Sequence, residues 1–223
     1  MSRIGIIHTT SATVSSLNAL VRELMEGAET VNILDDSILD DMREGNNIPF
    51  VRERWIEYAK ILERMHVDAV VSACSTVGEF AEEADRLLKV PVYRIDEAMC
   101  DEAVLAGERI SVFATLQSTL RPTVELIRRK AERCGRKVQV NTVLVEGAYK
   151  RLMQGDREEH DRRICEAVQA CLDTSDVIVL AQASMAAAIS HAAIENSRIL
   201  TSPGPGIRRL REELERRQRH PEG

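Results

Sequence analysis

Short apolar runs separated by amphipathic stretches set the rhythm of this chain. Arg3 to His8, Val31 to Leu34, Ala69 to Ala73 and Pro91 to Ile95 are brief, apolar and rich in Val and Ile, which predicts buried strands. Between them, apolar positions recur at helical spacing. Val14 to Met25, the stretch from Thr76 to Leu88 and Asp96 to Ala106 before Gly107 predict helices, and Phe50 to Met65 carries the stripe Val51, Trp55, Tyr58, Ile61, Leu62. Trp55 and Tyr58 are assigned to core packing, while such helix stripes also offer a homodimer surface. Asp35 to Pro49 is polar and turn-rich, and predicts a long loop that shapes a pocket.

The same pattern then runs a second time. Strands are expected at Arg109 to Ala114, Val138 to Val145, Asp176 to Ala181 and Arg198 to Leu200, with helices from Thr119 to Cys134, Gly147 to Met153, Glu158 to Leu172 and Ser184 to Ile194. A charged helix follows from Ile207 and frays at Arg219-His220-Pro221. R-I-G-I-I-H-T from Arg3 aligns with R-I-S-V-F-A-T from Arg109, and D-A-V-V-S-A-C from Asp68 aligns with D-V-I-V-L-A-Q from Asp176, at nearly equal offsets. An internal duplication of this kind predicts an α/β fold of two pseudo-symmetric doubly wound domains with parallel sheets. The expected domains are 1–96 with the C-terminal helix 205–223, and 97–204. Ligands of such sheets lie beyond the carboxyl ends of the strands. With the halves face to face, four hydroxyl-rich turns would converge on one cleft: Thr9-Thr10-Ser11, Cys74-Ser75-Thr76, Thr115 to Thr119, and Gln182-Ala183-Ser184. Hydroxyls and free N–H groups before helices suit a carboxylate, and they equally suit plain helix caps.

Composition narrows the partners. The chain is 44% hydrophobic and 30% charged, has 3% aromatics and carries a formal charge of -6, which argues against a nucleic-acid surface and for small molecules. No apolar run approaches the ~20 residues of a membrane span, and Met1-Ser2-Arg3 leads straight into a strand, so the expected location is the cytoplasm. Cys74, Cys100, Cys134, Cys165 and Cys171 form no C-x-x-C pair and are odd in number, which fits reduced thiols better than a disulfide or zinc framework.

Cys74 stands where a strand gives way to a helix. Thr76 and Glu79 fit a capping box, so the helix is expected to begin at Thr76 and to lay its positive end against the thiol. That placement predicts a pKa below the free value of about 8.5, whereas a small buried hydrophobe is the plainer role for a lone cysteine.

Three segments resemble one known family over essentially the whole chain. A-C-S-T at Ala73 to Thr76, A-T-L-Q-S-T at Ala114 to Thr119 and L-T-S-P at Leu200 to Pro203 are similar to motifs of the aspartate/glutamate/hydantoin racemase superfamily. The resemblance implies an enzyme without cofactor or metal, in which a cysteine from each half flanks a small carboxylate substrate. Cys74 falls on the first family cysteine. Ser75, Thr76, Thr115, Ser118 and Thr119 fall on the carboxylate-binding loops, and His8, Thr9 and Thr10 on the first-strand turn. Gln182 stands where the second cysteine belongs, followed by Ala183 and Ser184, so the two-thiol scheme is incomplete. Three readings follow: a racemase whose second acid/base is His8 or a water, a single-thiol decarboxylase or cis–trans isomerase of a dicarboxylate, and a carboxylate-binding protein without catalysis. Cys100, Cys134, Cys165, Cys171 and His191 are assigned structural or surface roles.

Overall fold

The computed structural model describes residues 2–44, 47–192 and 196–219. Along the chain, β1 (Arg3–His8), α1 (Val14–Leu24), β2 (Glu29–Leu34), α2 (Ile38–Glu44), α3 (Ile48–Arg64), β3 (Ala69–Ser72), α4 (Gly78–Leu87) and β4 (Val92–Arg94) precede α5 (Glu97–Ala106). Then come β5 (Arg109–Ala114), α6 (Gln117–Arg133), β6 (Gln139–Leu144), α7 (Ala148–Met153), α8 (Arg157–Cys171), β7 (Val177–Leu180), α9 (Ala186–His191), β8 (Ile199–Thr201) and α10 (Pro203–Arg219). Ile194 and the fraying expected at His220-Pro221 lie outside the described residues.

Two compact units result, Met1–Ile95 with Pro203–Gly223, and Asp96–Ser202. Each holds a four-stranded, all-parallel sheet, ordered β2-β1-β3-β4 in one and β6-β5-β7-β8 in the other. Period-two alternation explains the layers. In the first unit Ile4 and Ile6 pack with Ala69, Val71, Leu17 and Leu210, while Ile7 and Val70 pack with Trp55, Ala59 and Phe80 on the opposite face. In the second, Ile110 and Val112 meet Leu126 and Ile127, and Phe113 and Ile178 meet Ile164 and Val168. The strands buried along their whole length, β3 and β7, read as near-continuous apolar runs, AVVS and VIVL.

The duplication extends to individual hydrogen bonds. At the amino ends of the strands, the Arg3 backbone N–H donates to Asp68 Oδ2 at 2.6 Å, and the Arg109 N–H donates to Asp176 Oδ2 at 2.8 Å. Connectivity does not follow the halves, because α5 follows β4 into the second unit and α10 follows β8 into the first. Gly206 lets α10 dock. A Cβ there would collide with the backbone oxygen of Ile95, which cannot step aside. Alanine gains about 1 kcal/mol of helix propensity over glycine, but overpacking against main chain costs about 1–3 kcal/mol. Gly206→Ala is therefore expected to lower stability in chemical denaturation, and a raised midpoint would contradict the packing of α10 seen here.

One expectation needs correction. Part of the segment from Asp35 to Pro49 is helix, not loop: Ile38 and Leu39 are buried and Met42 packs against the Trp55 cluster. Their spacing is that of one helix face, and Asp35 secures it by accepting from the Tyr58 hydroxyl and pairing with Arg54. Within the Trp55 stripe, Val51, Trp55 and Leu62 are wholly buried within their own unit and not exposed, while Ile61 stays exposed. Among the described residues no helix is long and apolar enough to cross a membrane, and no group of three or more His, Cys, Asp or Glu side chains is placed to hold a metal ion.

Candidate active site

In each unit the strand order reverses direction between the first and third strands, and the carboxyl ends at such a switch point are where open parallel sheets bind their ligands. Every substrate-site residue expected from the sequence lies at or just beyond the carboxyl ends of these strands. His8, Thr9 and Thr10 leave β1 beside Cys74, Ser75 and Thr76 leaving β3, while Thr115, Ser118 and Thr119 leave β5 beside Gln182, Ala183 and Ser184 leaving β7.

Cys74 is itself the N-cap, followed by a 3-10 turn over Ser75–Val77 before α4 starts at Gly78. The helix thus begins later than Thr76, and Thr76 lies inside the turn. Cys74 makes no side-chain capping bond. Its sulfur is instead approached by the hydroxyls of Thr9 and Thr76 and the N–H groups of Thr76 and Val77, all of which favour a thiolate. Burial works against them and is stronger, so the thiol pKa is pushed up. The low pKa expected from the strand-to-helix junction is overturned, because desolvation beside the Trp55 cluster outweighs the donors. Residue 74 nonetheless keeps partial exposure.

His8 turns inward. It is fully buried, with Nε2 2.9 Å from Asn32 Oδ1 and Nδ1 2.9 Å from Thr13 Oγ1. Nε2 faces the Asn32 side-chain oxygen, and Nδ1 faces the Thr13 hydroxyl, which donates its hydrogen to the Thr10 carbonyl at 3.2 Å. Both nitrogens are engaged, so the ring offers none to a substrate. Burial lowers the His8 pKa from its ordinary 6.5, and the Asn32 bond only partly opposes it. Because the folded pKa is the lower one, stability is full above 6.5 and falls as pH drops through the folded value. The denaturation midpoint is expected to fall on acidification below pH 6.5, and to fall less in His8→Gln; equal acid sensitivity in the two proteins would contradict this.

Thr10 serves the fold as well. Its hydroxyl accepts the Ala12 N–H at 3.3 Å, capping the turn before α1. The other three turns differ: Cys74, Leu116 and Gln182 occupy N-cap positions without a side-chain capping bond. Thr115 and Thr119 are buried, and Ser118, Ala183 and Ser184 are half-buried. Gln182 is held by Thr115, its Oε1 accepting the Thr115 N–H at 2.5 Å and the Thr115 hydroxyl at 2.8 Å. The threonine that ends the first strand of each unit therefore bears on the side chain that ends the third, Thr9 on Cys74 and Thr115 on Gln182.

Sequence reasoning missed Asn32, Val77 and Arg94. Arg94, buried at the end of β4, pairs with Glu82 at 2.5 Å and lies over Gly78, where any Cβ would strike its guanidinium. A lone Asn between Val31 and Ile33 was the available signal for a buried polar partner; a main-chain N–H carries none.

Two copies of one parallel α/β unit, each ending its first and third strands in interacting polar side chains, define a duplicated α/β protein with equivalent polar strand ends. The chain belongs to the Asp/Glu/hydantoin racemase family, whose model matches residues 4–200, and with it to the isomerases. Its fold is similar to that of glutamate racemase RacE1 from Bacillus anthracis, at 16% identity and TM-score 0.75, covering 97% of this chain and 82% of that one. Aspartate racemase from Picrophilus torridus matches at 14% identity and TM-score 0.73, covering 96% and 95%. Allantoin racemase from Klebsiella pneumoniae matches at 18% identity and TM-score 0.67, covering 98% and 88%. No curated protein matches the chain by sequence.

Proposed function

We propose that the protein moves a proton at the carbon next to a carboxylate or hydantoin carbonyl without a cofactor, with Cys74 as the acid/base thiol. The observation that carries this reading is the place of Cys74, half-buried at the N-cap position after β3 with the hydroxyls of Thr9 and Thr76 beside it. A structural cysteine has no use for donors that favour its anion. An acid/base that passes through a thiolate does. Burial keeps the resting thiol protonated, and the donors lower the cost of the anion when the proton leaves.

In this scheme the Cys74 thiolate removes the α-proton, the electron pair moves onto the adjacent carboxylate or carbonyl oxygen, and hydroxyls and N–H groups stabilise the developing charge. Ser75 and Thr76 are the proposed binding positions beside Cys74 in the first unit, and Thr115, Ser118, Thr119, Ala183 and Ser184 are their counterparts at the strand ends of the second. Support for a small carboxylate comes from a glutamate racemase of Francisella tularensis in complex with D-glutamate, 14% identical with TM-score 0.74, covering 97% of this chain and 82% of that one. The five free cysteines suit the cytoplasm, where thiols stay reduced.

A second reading is favoured by Gln182, which does not exchange protons near neutral pH. A single-thiol decarboxylase or a cis–trans isomerase of a dicarboxylate needs only Cys74. The deciding experiment follows loss of the Cα–H signal by proton NMR in deuterated water with D- and L-aspartate, D- and L-glutamate and hydantoins, alongside turnover of malonates and maleate. Exchange on the first set supports proton chemistry on a saturated carbon; turnover confined to the second replaces it with the single-thiol reading.

A further inference from the structure

Arg94 reaches across the turn that carries Cys74. On β4 it lies in register with Ser72 of β3, two residues before the thiol, and the next N–H, that of Ile95, donates to the Ser72 carbonyl at 3.1 Å. Ser72 in turn donates its hydroxyl to the Cys74 carbonyl at 3.3 Å. Beyond the turn, the Arg94 guanidinium lies on Gly78, the first residue of α4, where a Cβ would come within 2.3 Å of Cζ. Gly78 closes the turn from that side, because its N–H donates to the Ser75 carbonyl. On the same helix Glu82 accepts from Nη1 at 2.5 Å and holds the guanidinium in place. One residue of the first unit thus braces both ends of the segment 72–78, with Thr76 and Val77, which bear on the Cys74 sulfur, inside that span.

Stability alone does not ask for this arrangement. Burying a guanidinium is costly, and the amino end of a helix favours anions over cations, so an apolar side chain of similar volume would serve the fold as well or better. What arginine adds is a flat, rigid group with directed donors. Gly78 is the matching half. Its φ of -58° is open to any residue, so what the glycine provides is room for the guanidinium. We propose that Arg94 is a positioning residue for Cys74: seated on Gly78 and held by Glu82, it fixes the turn that keeps Thr76 and Val77 against the sulfur. This rests on the reading of Cys74 as the acid/base thiol. Hydrogen bonds weaken steeply once misaligned, so a small shift of the turn costs the thiolate its donors.

The test labels the full chain with iodoacetamide between about pH 6 and 10 and reads the Cys74 peptide by mass spectrometry, with circular dichroism to confirm folding. Gly78→Ala pushes the guanidinium aside without removing it, and Arg94→Leu removes it while keeping the site dry. Both should slow Cys74 labelling several-fold near neutral pH and move its pH profile upward, with the limiting rate at high pH kept within about twofold. Arg94→Lys should recover part of the loss, since it keeps the charge and one bond to Glu82. Adding Gly78→Ala to Arg94→Leu should change little further, because no guanidinium is left to displace. Where α-proton exchange is followed in deuterated water with D- and L-glutamate, both single variants should lose kcat with KM nearly unchanged. If Arg94→Leu fails to fold, Gly78→Ala and Arg94→Lys carry the same comparison. An unshifted labelling profile in the folded single variants overturns the proposal, as do fully additive effects in the double variant, or a Cys74 that no pH makes reactive in the wild type. Shifted profiles in the variants, with no exchange by the wild-type protein on any probe, would uphold the positioning role and sink the Cys74 reading instead.

Discussion

Replacing Cys74 by serine is expected to slow α-proton exchange by about 10²–10⁴-fold, the range that a positioned acid/base contributes, while substrate binding is retained. Serine fits the space of the thiol and can still receive the Thr9 and Thr76 hydroxyls, so the fold has no reason to suffer. What it lacks is an accessible anion. The pH profile carries a second signature. Burial pushes the Cys74 pKa up, so the thiolate is the minor form at neutrality and grows with pH. The exchange rate should therefore climb between about pH 7 and 9 in the wild type, and a flat profile over that range would speak against a thiolate base. A Cys74→Ser protein that exchanges at the wild-type rate would remove Cys74 from the chemistry altogether.

The largest effect on stability is expected at Trp55. It is fully buried, the largest side chain in the first unit's core, and packs in one cluster with Ile7, Val70, Val77 and Phe80 between the sheet and α3. Trp55→Ala should cost about 3–5 kcal/mol, the usual range for emptying a large aromatic site. Trp55→Phe should cost far less, for a reason beyond size. Among the described residues the indole Nε1 is buried without a partner, and an unsatisfied buried donor carries a penalty of about 1–3 kcal/mol that phenylalanine removes. Because two units can unfold separately, the comparison needs circular dichroism as well as any local probe. A loss under about 1 kcal/mol in Trp55→Ala would show that the cluster relaxes to fill the gap. Cys74 packs partly against this same cluster, so emptying it would also disturb the thiol's surroundings.

Much of the fold was legible because the signals involved are local. β1 and β5 fall on the residues that the sequence marks, Arg3–His8 and Arg109–Ala114, since a buried parallel strand must be a short apolar run with turn residues at its end. Gly135 closes α6 from the left-handed region, at φ 65°, as a glycine after a helix should. Gly107 closes α5 for a different reason. Its backbone is extended, and what forbids a side chain there is Asp176, whose Cβ would lie 2.5 Å away. The residue was readable; its reason was not, because Asp176 is far away in sequence. The helix at Ile38–Glu44 was missed since Asp35, Asp36, Asp40 and Asp41 give the stretch a turn-like composition that hides the three apolar positions on one face.

The sequence alone determined the duplication, the parallel α/β class and the equivalence of Cys74 with Gln182, because strand periodicity and the paired Arg and Asp positions are carried by neighbours along the chain. Tertiary structure decided the electrostatics. Whether Cys74 is acidic depends on desolvation by α3 and on Thr9 from another strand; whether His8 can act depends on Asn32; which way Gln182 points depends on the Thr115 main chain. Each of these is set by groups that meet only through space, and the free energy of a charge or a donor is a property of that surrounding volume rather than of its place in the chain.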